Sequence, residues 1–262
     1  MFELVEATRF DRKMGVGRTK PLLLGCEGEH GEIEVVAKFS QGCALGGLVR
    51  EAMTSMFGID LGLPIPVPYV VQLTEDFITS IPDAEVAQFL RAGDRMGFGS
   101  RRLPDGYSAW IPPASRMAES LEQEALEIFA FDCWLTNGDR RTSNHNLLTN
   151  GKKFAIFDHE LALMTTLNLL WKEPWLASAL DGTRPPGDHV FFDHLRGRAS
   201  YKLESARERL LSITDARVTS YANALPKSWV VDPTEVSKIR AFIIQLRDNL
   251  ADASKELTRA LA

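Results

Sequence analysis

The stretch from Leu126 to Leu163, LEIFAFDCWLTNGDRRTSNHNLLTNGKKFAIFDHELAL, determines how the rest of the chain is expected to fold. Its first part is predicted to be a helix, because Ser120 followed by Gln123 forms a capping-box pattern and apolar residues then recur at helical spacing. The pair Asn137-Gly138 is expected to end that helix.

The second part of the stretch predicts a β-hairpin. Two apolar runs, NLLT and KKFAIFD, flank Asn150-Gly151, the strongest short-range signal for a two-residue turn with both central residues at positive φ. Counting back from such a turn places Asn144 opposite Phe157, one step from Asp158. An amide and a carboxylate are therefore expected at the same open end of the hairpin.

These side chains are suited to phosphoryl transfer. Mg²⁺ prefers hard oxygen ligands, usually one or two protein groups together with phosphate oxygens and water. Asn144 and Asp158 would supply such ligands, and Asp139 in the preceding polar loop would face an incoming hydroxyl. Enzymes that transfer phosphoryl groups act mainly by positioning and charge neutralisation, so this set is sufficient. The alternative is a solvated polar loop beside a purely structural hairpin.

Three short runs resemble the catalytic core of the HipA-like kinases, which are distant relatives of phosphoinositide kinases and eukaryotic protein kinases. The runs are Asn137-Gly-Asp139-Arg140, Asn144-His-Asn146-Leu-Leu and Ile156-Phe-Asp158-His159. The resemblance implies that Asp139 is the catalytic aspartate and that Asn144 and Asp158 bind the metal. Arg141 stands where the lipid kinases have histidine. Asp158-His159-Glu160 replaces Asp-Phe-Gly, which leaves no glycine for a flip-type switch.

Lys38 and Glu51 form a second candidate pair. Lys38 ends a predicted strand in the context Val-Val-Ala-Lys, which is similar to the kinase strand lysine that holds the nucleotide phosphates. Residues 44–58 show helical periodicity, and Glu51 projects from this helix. A helix glutamate pairs with the strand lysine in kinases, so an ion pair is predicted here. The alternatives are an exposed strand-edge lysine and an ordinary helix charge.

The loop Gly15-Val-Gly17-Arg18-Thr19-Lys20 precedes the first of two predicted strands that end at Lys38. It is a weak candidate for a phosphate loop, because backbone amides in such a turn, with Arg18 or Thr19, can approach phosphates. Gly17, Arg18 and Thr19 are therefore candidate nucleotide-binding residues. Two glycines also precede many ordinary turns, and the loop is not a Walker sequence.

The C-terminal remainder is predicted to be helical. Asp232-Pro233-Thr234-Glu235 predicts an N-cap, a proline at the first helical position and a capping glutamate. Apolar residues from Val236 to Leu257 then recur at alternating spacings of three and four. This pattern predicts one long helix packed against the helical part of the protein, with a dimeric coiled coil as the alternative.

Composition excludes several classes of protein. The 262 residues are 45% hydrophobic and 25% charged, as in ordinary globular proteins. The net charge of −5 argues against nucleic acid as the main partner. No apolar run approaches the roughly 20 residues that span a bilayer, and the N-terminus lacks a signal-peptide pattern, so a cytoplasmic location is expected. Three scattered cysteines predict neither a disulfide framework nor a zinc site.

The order of these elements predicts an α+β, two-lobed protein-kinase-like fold. A small β-rich N-lobe is expected over residues 1–110 and a mainly helical C-lobe over 111–262, with ATP and Mg²⁺ in the cleft. The expected reaction is transfer of the γ-phosphate to a hydroxyl, and the resemblance implies Ser or Thr of a protein substrate. A small-molecule phosphotransferase remains open, as does a nucleotide-binding pseudokinase or toxin-type module with a regulatory or antitoxin partner.

Overall fold

The computed structural model describes residues 2–15, 18–111, 117–163, 172–181, 186–197 and 202–262. Strands predominate in the N-terminal part and helices in the C-terminal part, so the predicted α+β character is confirmed. None of the helices in these ranges is both long enough and apolar enough to cross a membrane.

The N-terminal strands close into a small barrel. The order around it is β1-β2-β3-β5-β4, with β1 and β4 parallel and the other pairs antiparallel. The strands are β1 (Glu3–Lys13), β2 (Leu22–Gly28), β3 (Gly31–Lys38), β4 (Pro68–Gln72) and β5 (Met96–Arg101). Alternate apolar residues fill the interior, and helices α2 (Glu75–Ser80) and α3 (Ala84–Arg91) add their apolar faces to the same core. The hairpin predicted to end at Lys38 is confirmed.

Helix α1 (Ser40–Asp60) follows β3 directly and confirms the helix predicted over residues 44–58. Ala44 interrupts it near the start, with a φ of 56° and a ψ of 165°. The apolar side of α1 shares one core with the C-terminal helices, whereas the barrel interior forms a second core. Helix α1 therefore stands between the two parts of the protein.

The C-terminal part combines helices with a small sheet. The helices are α4 (Glu119–Trp134), α5 (Phe192–Leu195), α6 (Glu204–Ser212), α7 (Asp215–Asn223), α8 (Pro233–Asp248) and α9 (Leu250–Leu261), with a 3-10 turn at Lys227–Trp229. Strands β6 (Ser108–Ala109), β7 (Leu147–Thr149) and β8 (Phe154–Ile156) form an antiparallel sheet. The stretch from Leu126 to Leu163 includes most of α4, the loop that follows it, and strands β7 and β8.

The capping box predicted at Ser120 is wrong. Helix α4 begins at Glu119, and its N-cap is Ala118, which has no side-chain acceptor. The Gln123 amide instead donates to the Glu127 carboxylate at 3.1 Å and to the carbonyl of Lys202 at 2.9 Å. The Gln123 side chain, which the capping box required, is therefore used in a tertiary contact with Lys202.

The predicted two-residue turn is also wrong, although the hairpin exists. Thr149 pairs with Phe154, so four residues connect the strands. Gly151 has a φ of 80°, whereas Asn150 has no positive φ. The Asn150 side chain accepts hydrogen bonds from the two amides that follow Gly151, at 3.0 and 2.9 Å. This side-chain turn replaces the expected backbone turn.

The longer connection shifts the strand register. Phe157 donates its amide hydrogen to the carbonyl of Asn146 at 3.3 Å, so Asn146 stands where Asn144 was expected. Asn144 instead lies in the loop, where it forms a bridge with Arg141.

The predicted C-terminal helix is divided into two. Asp232 is the N-cap of α8 and accepts a hydrogen bond from the amide of Thr234 at 2.8 Å, as predicted. Glu235 forms an ion pair with Arg50 of α1 instead of capping the helix. The helix ends at Asp248, and the side chain of the next residue, Asn249, donates to the carbonyl of Gln245 at 2.8 Å. The apolar seam of α8 and α9 lies in the main core, which confirms packing within the helical part.

Gly42 should be required where the N-terminal loop crosses α1. A Cβ at this position would lie 2.0 Å from the carbonyl oxygen of Thr19, a backbone atom that cannot swing away. We expect Gly42→Ala to lower the free energy of unfolding by about 1–3 kcal/mol, because the backbone must shift. Gly15→Ala is the control, since no described atom outside its neighbours lies within 4 Å of its Cβ position. Urea denaturation that gives equal stabilities for the two variants would contradict this packing.

Candidate active site

Lys38 brings three distant segments together. It is the last residue of β3, and its side chain is 10% exposed. Its Nζ lies 2.8 Å from Glu51 Oε2 of α1 and 2.5 Å from Oδ1 of Asp158, which follows β8. Asp158 is 120 positions away in sequence. The ion pair predicted between Lys38 and Glu51 is therefore present, and it includes a second carboxylate.

The charges of this group stabilise one another. Burial acts to lower the pKa of Lys38, but Glu51 and Asp158 outweigh burial and raise it well above its usual value. Burial acts to raise the pKa of Glu51, but Lys38 and His159 outweigh it and hold the pKa well below its usual range. Lys38 and Glu51 are therefore both charged at neutral pH.

The backbone after β8 is held in place by α1. Asp158 has a φ of 65°, a conformation that costs a non-glycine residue about 1–3 kcal/mol and persists only where its surroundings impose it. The next residue, His159, is fully buried and donates its amide hydrogen to Glu51 Oε2 at 2.8 Å. Its ring packs edge-on against Phe131. Glu51 thus fixes both Lys38 and the segment that carries Asp158.

Glu160 adds a third carboxylate, which the sequence analysis did not assign. Its side chain is 8% exposed, with Oε2 3.9 Å from Lys38 Nζ. Oε1 lies 4.0 Å from the guanidinium of Arg18. Burial raises the pKa of Glu160 to about 7. Carboxylate oxygens of Glu51, Asp158 and Glu160 all lie within 4.8 Å of one another. The only sequence signal for this residue was its place two positions after Asp158.

Asp139 lies in the loop after α4 and is held by two amides. Its Oδ2 accepts hydrogen bonds from Nδ2 of Asn144 and Nδ2 of Asn146, both at 2.9 Å. Its Oδ1 lies 3.5 Å from Arg141. The side chain is mostly buried, with 13% of its surface exposed. Asn146 is a further residue of the candidate site. It was not predicted, because the predicted hairpin register placed Asn144 in its position opposite Phe157.

A buried network beneath Asp139 fixes the loop to α4. Asp132, in the last turn of α4, accepts hydrogen bonds from Arg140 at 2.7 Å, from Asn137 at 2.7 Å and from His189 at 2.9 Å. Arg140 also contacts the carbonyl of Asn146. Burial acts to raise the pKa of Asp132, but Arg140 and His189 outweigh it and hold the pKa well below its usual range. The loop is thus positioned from below by a charged carboxylate.

The residues of the candidate phosphate loop differ in position. Gly17 lies outside the described residues. Arg18 is largely exposed, with its guanidinium directed toward Glu160. Thr19 is buried, and its carbonyl packs against Gly42 at the start of α1. Of the two described residues, Arg18 is the one that approaches the carboxylate group.

Comparison with known proteins identifies the family. A sequence model described as HipA-like kinase matches residues 7–258. The chain belongs to the HipA-like kinase family. Its fold is similar to the crystal structure of a Helicobacter pylori proinflammatory kinase, CtkA, with a TM-score of 0.55 and 10% identity. The match covers 95% of this chain and 96% of that chain. No curated protein matched this HipA-like chain in sequence.

Family membership identifies the protein as a kinase and implies ATP, with Mg²⁺ as its usual companion. The side chains of this site fit such a cation. The donors are carboxylate oxygens, which hard divalent ions prefer. Oε2 of Glu160 is buried and has no hydrogen-bond partner among the described residues. A bound cation would satisfy this oxygen. Asn144 uses its amide nitrogen for Asp139, which leaves its oxygen for a metal.

Asp132→Asn should destabilise the protein at neutral pH. Removing the charge leaves Arg140 buried without its counter-ion, and breaking a buried pair costs about 3–5 kcal/mol. The pKa of Asp132 is lower in the folded protein than in the unfolded chain, where it is about 4. The charged carboxylate therefore stabilises the fold above about pH 4, and this stabilisation is lost as the pH falls toward the folded pKa. Urea denaturation should therefore show that the variant and the parent differ less in free energy of unfolding at pH 3 than at pH 7.

The control for this prediction is Asp252→Asn. Asp252 is exposed and forms a surface pair with Lys255, so its loss should change stability by less than about 1 kcal/mol. If Asp132→Asn behaves like this control at pH 7, the network does not hold the loop.

Proposed function

We propose that this chain is an ATP- and Mg²⁺-dependent kinase that transfers the γ-phosphate to a Ser or Thr hydroxyl of a protein. The barrel would be the N-lobe, the helical part the C-lobe, and the nucleotide would bind in the cleft between them. The observation that carries the proposal is the contact of Lys38 with both Glu51 and Asp158. A strand lysine, a helix glutamate and a metal-binding aspartate have this arrangement in protein kinases.

Each residue of this group has a role in the proposal. Lys38 would hold the nucleotide phosphates, and Glu51 would direct it toward them. Asp158 and the amide oxygen of Asn144 would hold Mg²⁺, which neutralises charge on the phosphate oxygens. Arg18 would contact the phosphates from the loop that precedes β2.

Asp139 would act on the acceptor. The two amides from Asn144 and Asn146 fix Oδ2, so Oδ1, which has only a long 3.5 Å contact with Arg141, would be the oxygen that faces a hydroxyl. The hydroxyl oxygen forms a bond to the γ-phosphorus as the bond to the leaving ADP oxygen breaks, and Asp139 accepts the hydroxyl proton. In this scheme Asp139 orients the hydroxyl and accepts its proton, and it binds no metal.

A protein acceptor is supported by the family and by the exposure of the loop. Thr142 and Ser143, which follow Asp139 closely, are both exposed. An exposed catalytic loop is accessible to the side chain of a folded partner, whereas a metabolite kinase encloses its acceptor in a pocket.

Replacing Asp139 and Asp158 should produce different defects. Asp139→Ala keeps the proposed metal ligands, so Mg²⁺-ATP should still bind and raise the melting temperature by mass action, while transfer nearly vanishes. Asp158→Ala removes a charged oxygen ligand, so the Mg²⁺-dependent rise in melting temperature should be lost together with transfer. The measurement is a thermal-shift titration with ATP in Mg²⁺ and in EDTA, beside a phosphate-transfer assay.

Two results would contradict these roles. If Asp158→Ala keeps the full Mg²⁺-dependent shift while Asp139→Ala loses it, the two roles must be exchanged. If neither change affects transfer, the hairpin and its loop are structural and the proposed chemistry is wrong.

The acceptor can be identified by labelling. Cell lysate incubated with the purified protein and labelled ATP should yield phosphoserine or phosphothreonine peptides in mass spectrometry. The same lysate with the Asp139→Ala protein is the matched control, because it binds nucleotide without transfer. Label that appears only on small molecules would overturn the protein substrate and leave the kinase chemistry intact.

A further inference from the structure

The carboxylates around Lys38 carry more negative charge than the lysine balances. Glu51, Asp158 and Glu160 face this one buried ammonium, which leaves two negative charges when all three are ionised. The guanidinium of Arg18 lies 4.0 Å from Glu160 but is 80% exposed, so solvent weakens its contribution. A divalent cation would neutralise the remaining charge.

Glu160 is the least satisfied member of this group. Lys38 and the amide of His159 both donate to Glu51, and Lys38 also donates to Asp158. Oε2 of Glu160 is buried and accepts no hydrogen bond from any described group. An unpaired buried oxygen is costly unless a partner is supplied, and here it is directed toward the other two carboxylates.

The backbone fixes the direction of this side chain. Arg50 of α1 donates its Nε hydrogen to the carbonyl of Glu160 at 2.7 Å, and Arg50 is itself held by Glu235 of α8. The backbone of Glu160 is therefore tied to two helices, while Oε2 of its carboxylate accepts no hydrogen bond from a described group. A side chain placed in this way is suited to binding a ligand.

We infer that Glu160 is a third protein ligand for a divalent cation, acting beside Asp158 and Asn144. The inference deepens the proposed function, since the cation is the one that would accompany ATP. An Asp–Asn pair alone binds Mg²⁺ mainly through the nucleotide, because Mg²⁺ gives up its waters reluctantly. With Glu160 included, two carboxylates would face the cation, so we expect the site to bind a cation before the nucleotide arrives.

The test measures metal binding without nucleotide. Purified protein is titrated with Mn²⁺ alone, and free Mn²⁺ is followed by electron paramagnetic resonance. The parent should bind Mn²⁺, and Glu160→Gln, which keeps the shape and removes the charge, should weaken binding by about tenfold or more. Parent-like binding by Glu160→Gln, or no binding by the parent, would overturn the inference.

The matched control is Glu256→Gln in α9. Glu256 is as buried as Glu160, with 5% and 6% exposure, but its carboxylate is fully engaged by Arg259 and the amide of Leu180. The Glu256→Gln protein should bind Mn²⁺ as tightly as the parent does. If Glu160→Gln does not fold, Glu160→Asp keeps the charge and withdraws the carboxylate by one methylene. Weaker Mn²⁺ binding by that variant supports the inference, and unchanged binding overturns it.

The outcomes separate this inference from the proposed function. Mn²⁺ binding that depends on Glu160, in a protein that transfers no phosphate, would support the metal ligand and overturn the kinase mechanism. Phosphate transfer by the parent, with Mn²⁺ binding that is insensitive to Glu160, would leave the mechanism intact and overturn the third ligand.

Discussion

The buried ammonium of Lys38 is the constraint on which the arrangement of this protein depends. Moving an unpaired charge out of water costs several kcal/mol even after the protein relaxes, so Lys38 requires carboxylates within hydrogen-bond distance. Glu51 and Asp158 meet that requirement from a helix and from the end of a hairpin. Strand β3, helix α1 and the segment after β8 are thereby fixed relative to one another.

Local sequence predicted part of this arrangement. Lys38 and Glu51 lie 13 residues apart on a strand and the helix that follows it, so order and periodicity were sufficient to pair them. Asp158 lies 120 residues from Lys38, and no spacing rule connects them. Its place in the site was expected from the resemblance to HipA-like kinases, a family to which the chain does belong.

The errors in the prediction have tertiary causes. Asn150 turns the hairpin with its side chain, which lengthens the connection and brings Asn146, not Asn144, opposite Phe157. Glu160 was overlooked because its importance lies in burial and in an unsatisfied oxygen, neither of which the sequence displays. The hydrogen bonds of Asp132 with Arg140 and His189 likewise could not be predicted, because helix propensity and residue spacing do not connect these residues.

The position of α1 has a consequence for movement of the cleft. Its apolar side belongs to the core of the C-terminal helices, whereas Lys38 extends from the barrel, which has a core of its own. Lys38 therefore links the barrel to α1 through Glu51 and to the segment after β8 through Asp158. If the barrel tilted away from the helices, these contacts would lengthen, so opening of the proposed cleft would also misplace the lysine proposed to hold the phosphates.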